Sequence, residues 1–373
     1  MKSKITRILS FLFFVLFLFT GCKKPNSQKA IFTENTVKYA QKFALIPYDN
    51  FQILKLADKD TIPTKTYILH KKGADLPDSL SQYPKIEVPI QRVIATSTTH
   101  LPSIEMLNKE KTLVGFPNPD YISSEVFNAL INQKQIVNVG IDYNLNSELI
   151  IGLKPKVLIY SSGSGSDSEI QLFNQYGIHT LINSDWTEKT PLGRAEWIRF
   201  FGAIYDLDEK ALELFEKIET EYLQTLKLAQ KAIQKPTVIT GNMYQDVWYM
   251  PRADNWSALV LEQANIEYPW NDQKGEGSLA LSFEEVFSKG KEANIWIGVN
   301  FENLDELSKS NIHYKEFRAF KEKNVFGYQT KGKGVLFYEL APNRPDLMLK
   351  DLIKIAHPEL LEDYSLNFFY KLQ

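Results

Sequence analysis

The sequence has few cysteines and histidines, the residues that often bind metals or act in catalysis. It contains one cysteine in 373 residues, which excludes a disulfide framework and any multi-cysteine metal or iron–sulfur site. Its histidines show no metal-ligand spacing and stand at positions 70, 100, 179, 313 and 357. The motifs of zinc proteases, serine hydrolases, phosphate-binding loops and dinucleotide-binding folds are absent from the sequence. We therefore predict a protein that is not an enzyme and that has no resident metal or cofactor.

The sequence also has little net charge. Its 43 Lys and Arg residues nearly balance its 45 Asp and Glu residues, for a net charge of −2. Proteins that neutralise nucleic-acid phosphates need a large positive excess, so we expect no nucleic-acid partner. Because 44% of the residues are hydrophobic and 24% are charged, the chain is too apolar for intrinsic disorder. Its length indicates about two domains.

The N-terminal residues carry targeting signals. Residues 1–21 start with basic residues and continue with an apolar run that is shorter than the ~20 residues of a membrane span, which is typical of a secretory signal peptide. The end of this run, Leu18-Phe19-Thr20-Gly21-Cys22, resembles a bacterial lipobox. The resemblance implies cleavage before Cys22 and a lipid anchor on it, with a buried, inert cysteine as the alternative. Cleavage removes three positive charges, so the net charge falls from −2 to −5.

The rest of the chain has an α/β pattern. We expect residues 22–30 to be a polar tether and residues 31–90 to be a β-rich extension, with strands near 43–48, 51–56 and 66–69. From residue 91 onward, short β-branched segments alternate with helical ones, which indicates parallel sheets with helical crossovers. The predicted parts are an N-terminal α/β lobe at 91–206, a linking helix at 207–235 and a C-terminal α/β lobe at 236–373.

The linking helix is predicted from an uninterrupted helical stripe. No Gly or Pro occurs between Gly202 and Pro236, and Asp208 is expected to cap the helix start. Apolar residues recur at helical spacing at Ala211, Phe215, Ile218, Tyr222, Leu226, Ala229 and Ile233. The alternative is a helix packed inside one large domain.

Aromatic residues and an arginine cluster directly after a predicted strand of the second lobe. Ligands of open α/β sheets bind outside the carboxyl ends of the strands. The ligand-contact candidates in this cluster are Trp248, Tyr249, Arg252 and Trp256, and those in the first lobe are Tyr121, Tyr143 and Trp186. Each aromatic residue could instead fill the core. His100 could hold a metal or haem or be a polar residue at a helix start, and the loop at 161–168 could cradle an anion or be a mobile connection.

Glu148 and Glu284 occupy matching places in a short internal repeat. Each follows a predicted Ser N-cap and begins a short helix, which leads through a basic break into a buried strand. A carboxylate at a helix N-terminus is favourable because of the helix dipole. The alternative is a pair of exposed carboxylates, one on each lobe, that dock onto a basic partner.

These features together resemble the metal-chelate class of ABC-importer substrate-binding proteins. The resemblance covers about residues 86–361 and is carried by residues 92–97, 145–159, 282–284 and 343–347. It implies two Rossmann-like α/β lobes joined by a single long helix, with a ligand cleft between them. In this family a Glu on each lobe docks to arginines of the inner-membrane permease, which implies Glu148 and Glu284, with Glu285 as the less favoured register.

The resemblance also implies the ligand and the partners. The family delivers ferric siderophores, haem or cobalamin to a permease and its ATPase. Cobalamin binders of the family carry Trp six residues before each docking Glu, where this chain has Asp142 and Ser278. We therefore expect a ferric siderophore, with Arg344 either lining the cleft or supporting the final helix. The alternatives are haem or cobalamin and, from another class, a surface glycan-binding lipoprotein. We expect a monomer that is lipid-anchored on the periplasmic side of the cell envelope.

Overall fold

The computed structural model describes residues 34–57, 65–141, 144–275 and 277–373. The predicted signal peptide, the tether with Cys22, and Tyr143 lie outside the described residues. Residues Asn35–Gln373 form one compact unit. Within the described ranges, no helix combines the length and the apolar character needed to cross a membrane.

The N-terminal extension is a small β-sheet, as its alternating apolar residues predict. Its strands, in spatial order, are β1 (Phe43–Pro47), β2 (Phe51–Leu56), β3 (Lys65–Lys71) and β4 (Lys85–Val88). The first three strands are antiparallel, and β4 runs parallel to β3. Buried residues of this sheet, such as Leu45, Leu54 and Ile86, share a hydrophobic cluster with buried residues of the first lobe. The extension is therefore built onto the first lobe.

The first lobe contains a parallel five-stranded sheet and one small hairpin. The strands are β5 (Val93–Ala95), β6 (Leu113–Phe116), β7 (Val137–Asn138), β8 (Gly140–Ile141), β9 (Asn144–Leu145), β10 (Val157–Ser161) and β11 (His179–Asn183). The order in the sheet is β11-β10-β5-β6-β7, and β8 and β9 form the hairpin. Its helices are α1 (Leu101–Met106), α2 (Glu125–Asn132), α3 (Ser147–Leu153), α4 (Asp167–Gln175), α5 (Pro191–Ala195) and α6 (Ile198–Ile204).

The linking helix α7 runs from Asp208 to Ala229. The predicted stripe is confirmed as far as Ala229: Phe215 lies in the core of the first lobe, and Tyr222 lies in the core of the second. Two details of the prediction are wrong. Leu207 and not Asp208 is the N-cap residue, and Ile233 lies beyond the helix end with its side chain 99% exposed.

The second lobe has a four-stranded sheet and two smaller antiparallel sheets. The strands are β12 (Val238–Thr240), β13 (Met243–Tyr244), β14 (Val247–Pro251), β15 (Ser278–Leu281), β16 (Ile295–Val299), β17 (Val325–Tyr328), β18 (Thr330–Lys331), β19 (Gly334–Val335) and β20 (Phe369–Lys371). The order in the main sheet is β12-β16-β17-β20, parallel except for β20, and the smaller sheets are β13-β14-β15 and β18-β19. Its helices are α8 (Trp256–Gln263), α9 (Phe283–Gly290), α10 (Leu304–Ser310), α11 (Arg318–Lys321), α12 (Leu336–Leu340) and α13 (Pro345–Ala356).

The predicted fold class is confirmed, with a mainly parallel sheet on either side of α7 in the chain. The helix contacts α6 from the first lobe and α13 from the second. Strands β10 and β16 lie inside their sheets and are buried along almost their whole length, as expected for parallel strands whose two faces are both covered. The carboxyl ends of these strands position the candidate site.

Candidate functional site

A cavity of about 550 Å³ lies at the carboxyl ends of strands from both lobes. The first lobe contributes Thr98 and Thr99, which follow β5, and Arg194 on α5. The second lobe contributes the ends of β12, β16 and β17 and the loops that follow them. Because ligands of open α/β sheets bind at such ends, this cavity is the candidate site.

Aromatic rings form much of the cavity wall. They are Tyr244, Tyr249, Trp256, Tyr328, Phe337, Tyr338 and Phe369. Trp256 and Phe337 are stacked, with their ring centroids 6.0 Å apart. Burial raises the pKa of Tyr328 well above its usual value, so this phenol stays protonated even in alkaline solution. Two predicted ligand contacts, Tyr249 and Trp256, thus line the same cavity.

Strand β14 explains why adjacent aromatic residues have different environments. Successive side chains of a strand point to opposite faces. Tyr249 is exposed to the cavity, whereas Trp248 is 0% exposed, donates its indole N–H to the carbonyl of Thr240 at 2.8 Å and stacks on Trp296. Trp248 offers no surface to a ligand here, and its predicted role is corrected from ligand contact to core residue.

Gly298 allows the wall to pack tightly beside the cavity. It has a φ of +74° inside β16, in the left-handed region that favours glycine. A Cβ at this position would lie 2.5 Å from the phenol oxygen of Tyr328. Any side chain at residue 298 would therefore displace the Tyr328 ring from the cavity wall.

Arg194 is the one charged side chain among the described residues that line the cavity. It is only 7% exposed, and its guanidinium lies 4.8 Å from the ring centroid of Trp256. Burial lowers the pKa of Arg194, and the nearby carboxylates of Asp185 and Glu188 oppose this shift. No hydrogen bond joins the guanidinium to another described residue. A buried cation with free donors and an aromatic neighbour is suited to an anionic ligand.

Sequence reasoning did not select Arg194, although a signal was present. The residue lies downstream of β11, at the same carboxyl edge that made Trp186 a candidate. Ten residues separate the end of the strand from Arg194, and the short helix α5 carries Arg194 back to the cavity. Helix α5 has no long apolar pattern, so its position could not be predicted.

His100 lies beside this region but does not line the cavity. It directly precedes α1, is fully buried, and has no hydrogen-bond partner on either ring nitrogen within the described ranges. Burial lowers the pKa of His100 to about 4, so the imidazole is neutral at pH 7. The part of the chain that the structure describes contains no group of three or more His, Cys, Asp or Glu that could hold a metal ion.

The remaining predicted contacts lie apart from the cavity. Trp186 is half exposed and donates its indole N–H to the carbonyl of Ser162 at 3.0 Å. Tyr121 is exposed beside the β18–β19 hairpin. Arg252 donates to the carbonyl of Lys274 at 3.1 Å, and Arg344 forms a bidentate pair with Asp346 at 2.7 and 2.9 Å.

These positions place four of the predicted ligand contacts outside the cavity. In this conformation Trp186, Tyr121, Arg252 and Arg344 do not contact the cavity, and the pair with Asp346 assigns Arg344 to supporting the start of α13. In the loop at 161–168, Ser166 is the N-cap residue of α4. Its hydroxyl accepts the N–H of Glu169, and the Glu169 carboxylate accepts the N–H of Ser166 in return, so this serine side chain is used to cap the helix.

The two candidate docking carboxylates occupy equivalent helix positions. Glu148 is the second residue of α3, and Glu284 is the second residue of α9. Both are exposed, and neither has a hydrogen bond or ion pair with another described residue. Glu285 differs from both, because its carboxylate accepts the backbone N–H of Ser282 at 2.7 Å. The N-cap residue of α3 is Asn146, whereas that of α9 is Ser282. The expected Ser N-cap is therefore confirmed only for α9.

A family model described as "Periplasmic binding protein" matches residues 93–331, which include the main strands of both lobes and α7. The chain belongs to this family. An uncharacterised lipoprotein of Methanocaldococcus jannaschii is 27% identical over 371 residues, which cover 93% of this chain and 87% of that protein. This periplasmic binding protein therefore has a relative of similar length that is named a lipoprotein.

Solved structures share the fold of this periplasmic binding protein. CeuE from Helicobacter pylori, solved as a Ni–His complex, matches with a TM-score of 0.60 and 17% identity, over 84% of this chain and 91% of that chain. A periplasmic haem-binding protein from Pseudomonas aeruginosa matches with a TM-score of 0.58 and 16% identity, over 76% of this chain and 98% of that chain. These likenesses confirm the two-lobed fold.

Proposed function

We propose that this periplasmic binding protein captures an anionic metal chelate, specifically a ferric siderophore, and delivers it to an inner-membrane ABC permease with its ATPase. The observation that carries this proposal is Arg194, a buried cation that lines the cavity and has no hydrogen-bonded partner among the described residues. An anionic ligand would supply the missing acceptors. The family is one of binding proteins, which supports binding and not catalysis.

The cavity favours a metal that arrives with its own ligands. No His, Cys, Asp or Glu occurs among the described residues that line it. These side chains are the usual protein ligands of transition metals. A bare metal ion would therefore find little to coordinate it, whereas a chelate presents an organic periphery on which the aromatic walls can stack.

Two neighbours in the comparisons support the metal-chelate class. The CeuE structure contains a Ni–His complex, and the Pseudomonas aeruginosa protein is named a haem-binding protein. Haem is a second candidate ligand, because it is a flat anionic chelate. Its ring could stack on the aromatic wall, and its carboxylates could accept from Arg194. A neutral glycan would leave Arg194 without an anionic partner.

Tryptophan fluorescence tests the ligand class, because Trp256 lies in the cavity wall. We expect saturable quenching by an anionic ferric tricatecholate, and weaker quenching by a neutral ferric trihydroxamate, in a panel with haem, cobalamin and glycans. The matched control is the metal-free tricatecholate, which separates recognition of the chelate from recognition of its organic part. Saturable binding of a glycan or of cobalamin, with none of the ferric chelates bound, would contradict the proposal.

We also propose that the protein reaches the permease through a lipid anchor and two exposed carboxylates. The lipobox-like sequence assigns the anchor to Cys22 on the periplasmic side of the cell envelope, and the relatives named lipoproteins support it. Glu148 and Glu284 are assigned to docking, and their equivalent helix positions and lack of described partners support that role. The protein needs no second copy for either step, so we propose a monomer.

Charge reversal tests the docking role. Glu148→Lys together with Glu284→Lys should abolish chelate uptake in cells, because basic permease residues would then face like charges. Ligand affinity of the purified double variant should be unchanged. Glu285→Lys is the matched control and should leave uptake unchanged, because the Glu285 carboxylate is bonded to the N-cap residue Ser282 and is not assigned to docking. Normal uptake by the double variant, or a loss of its ligand binding, would overturn the docking assignment.

A further inference from the structure

The chain before β1 lies across the first lobe and the linking helix. We call residues 36–42 the N-terminal strap; they belong to no strand or helix. The side chains of Lys38 and Tyr39 both bond to Glu219 on α7. Arg199 on α6 donates to the first residue of the strap, at 2.8 Å to its hydroxyl oxygen. The strap is therefore tied to both helices.

Two buried carboxylates hold the backbone of the strap. Glu196 accepts the N–H groups of residues 38–40 at 2.7, 2.6 and 2.9 Å. Glu188 accepts the N–H groups of residues 41–42, each at 2.9 Å, and the indole N–H of Trp197 at 3.2 Å. Burial raises the pKa of Glu188, and the strap N–H groups oppose that shift. The strap thus stabilises the ionised form of a carboxylate that is almost fully buried.

The two carboxylates flank the helix that carries the cavity arginine. Helix α5 lies between Glu188 and Glu196 in the sequence, with Arg194 in its last turn. A Cβ at Gly193 would lie 3.3 Å from the backbone oxygen of Tyr39 and 3.3 Å from an oxygen of Glu188. The strap therefore packs directly against α5, one residue away from Arg194.

We propose that the N-terminal strap positions Arg194 for the ligand. The strap donates N–H groups to both oxygens of Glu188, and these bonds hold the carboxylate away from a hydrogen-bonded pair with the nearby guanidinium. The donors of Arg194 then stay available to an anion in the cavity. The strap also holds Glu196 and so fixes the end of α5. This inference rests on the proposed function, since it requires an anionic ligand at Arg194.

The first test removes one donor of the strap in the full chain. Gln41→Pro deletes the N–H that reaches both oxygens of Glu188. Affinity for an anionic ferric tricatecholate should fall roughly tenfold, whereas affinity for a neutral ferric trihydroxamate should change less than about twofold. Tyr39→Phe is the matched control, because it cuts the bond to Glu219 but keeps every strap N–H, and its affinity should be unchanged.

A double-mutant cycle separates positioning from general damage. If the strap acts through Arg194, then Gln41→Pro should cause no further loss of tricatecholate affinity in an Arg194→Met background. Losses that add in the double variant would overturn the proposal. Lys42→Pro deletes the other strap N–H that Glu188 accepts, and it provides a second variant should Gln41→Pro fail to fold. It should weaken tricatecholate binding in the same way, and an unchanged affinity in the proline variant would overturn the proposal.

Hydrogen exchange tests the strap without any ligand. Amides of residues 192–196 should exchange faster in Gln41→Pro and Glu188→Gln than in the parent chain, because α5 loses its support. Unchanged exchange would overturn the strap proposal whatever the ligand results. If the parent chain binds no anionic chelate but α5 exchange responds as expected, the proposed function fails while the link between strap and α5 stands.

Discussion

Glu339 on α12 is a buried carboxylate where the second lobe meets the first. It accepts the backbone N–H groups of Ser123 at 2.6 Å and Ser124 at 3.0 Å. Burial raises the pKa of Glu339 to about 7, and the charge of Glu105 adds to this shift while the two N–H bonds oppose it. The folded chain therefore binds a proton near neutral pH that the unfolded chain has already released.

This raised pKa predicts a pH dependence of stability. A folded-state pKa above the unfolded value contributes stability that is complete below the unfolded pKa and is lost as pH rises through the folded pKa. Between about pH 5 and about pH 8, the parent chain should lose about 2 kcal/mol that Glu339→Gln does not lose. Urea unfolding at both pH values measures this, with Glu213→Gln on the exposed side of α7 as a control. An equal pH dependence in parent and Glu339→Gln would show that Glu339 is not the cause.

At the residue scale, the sequence indicates which side chains could contact a ligand, but not whether each one points to the cavity or to the core. Trp248 and Tyr249 were both candidates because they follow a strand, and the alternation of β14 then sends one to the core and the other to the cavity. The sequence does not say which face of that strand is covered. Arg194 was missed because its position depends on the path of a short helix and not on a local pattern.

At the scale of elements, α7 connects the two lobes through one apolar stripe. Its N-terminal half contributes Ala211, Phe215 and Ile218 to the core of the first lobe, and its C-terminal half contributes Tyr222 and Ala229 to that of the second. The stripe follows from the 3.6-residue period, which is why the sequence predicted it. The predicted helix end at residue 235 is too late, because Lys231 and Gln234 are good helix formers and their propensity gives no stop signal before Pro236.

Truncation within the stripe should be costly. Phe215→Ala removes a fully buried ring that also makes an edge contact with Tyr39 of the strap. The free energy of unfolding should fall by about 3–5 kcal/mol because of the lost burial and the cavity left behind. Leu223→Ala, on the exposed side of the same helix, should change it by less than about 1 kcal/mol. Urea unfolding compares the two, and equal losses would show that the stripe does not carry the packing.

At the scale of the whole molecule, the cavity exists because both sheets direct their carboxyl edges toward it. Side chains also bridge the lobes: Asn343 accepts from Ser103 at 2.7 Å and donates to the carbonyl of Thr99 at 2.8 Å. The two lobes and the linking helix could be predicted from periodicity and from family resemblance. The cavity lining could not, because it gathers residues that lie far apart in the sequence, from Thr98 to Phe369.

The central claim is that a buried arginine selects an anionic chelate in the cavity between the lobes. Fluorescence titration of the parent chain, Arg194→Met and Arg252→Met with an anionic ferric tricatecholate tests it most directly. Arg252 is the matched control, since it lies in the same predicted cluster but outside the cavity. We expect Arg194→Met to lower the affinity roughly tenfold or more and Arg252→Met to leave it unchanged. Unchanged affinity in Arg194→Met, or a loss confined to Arg252→Met, would contradict the claim.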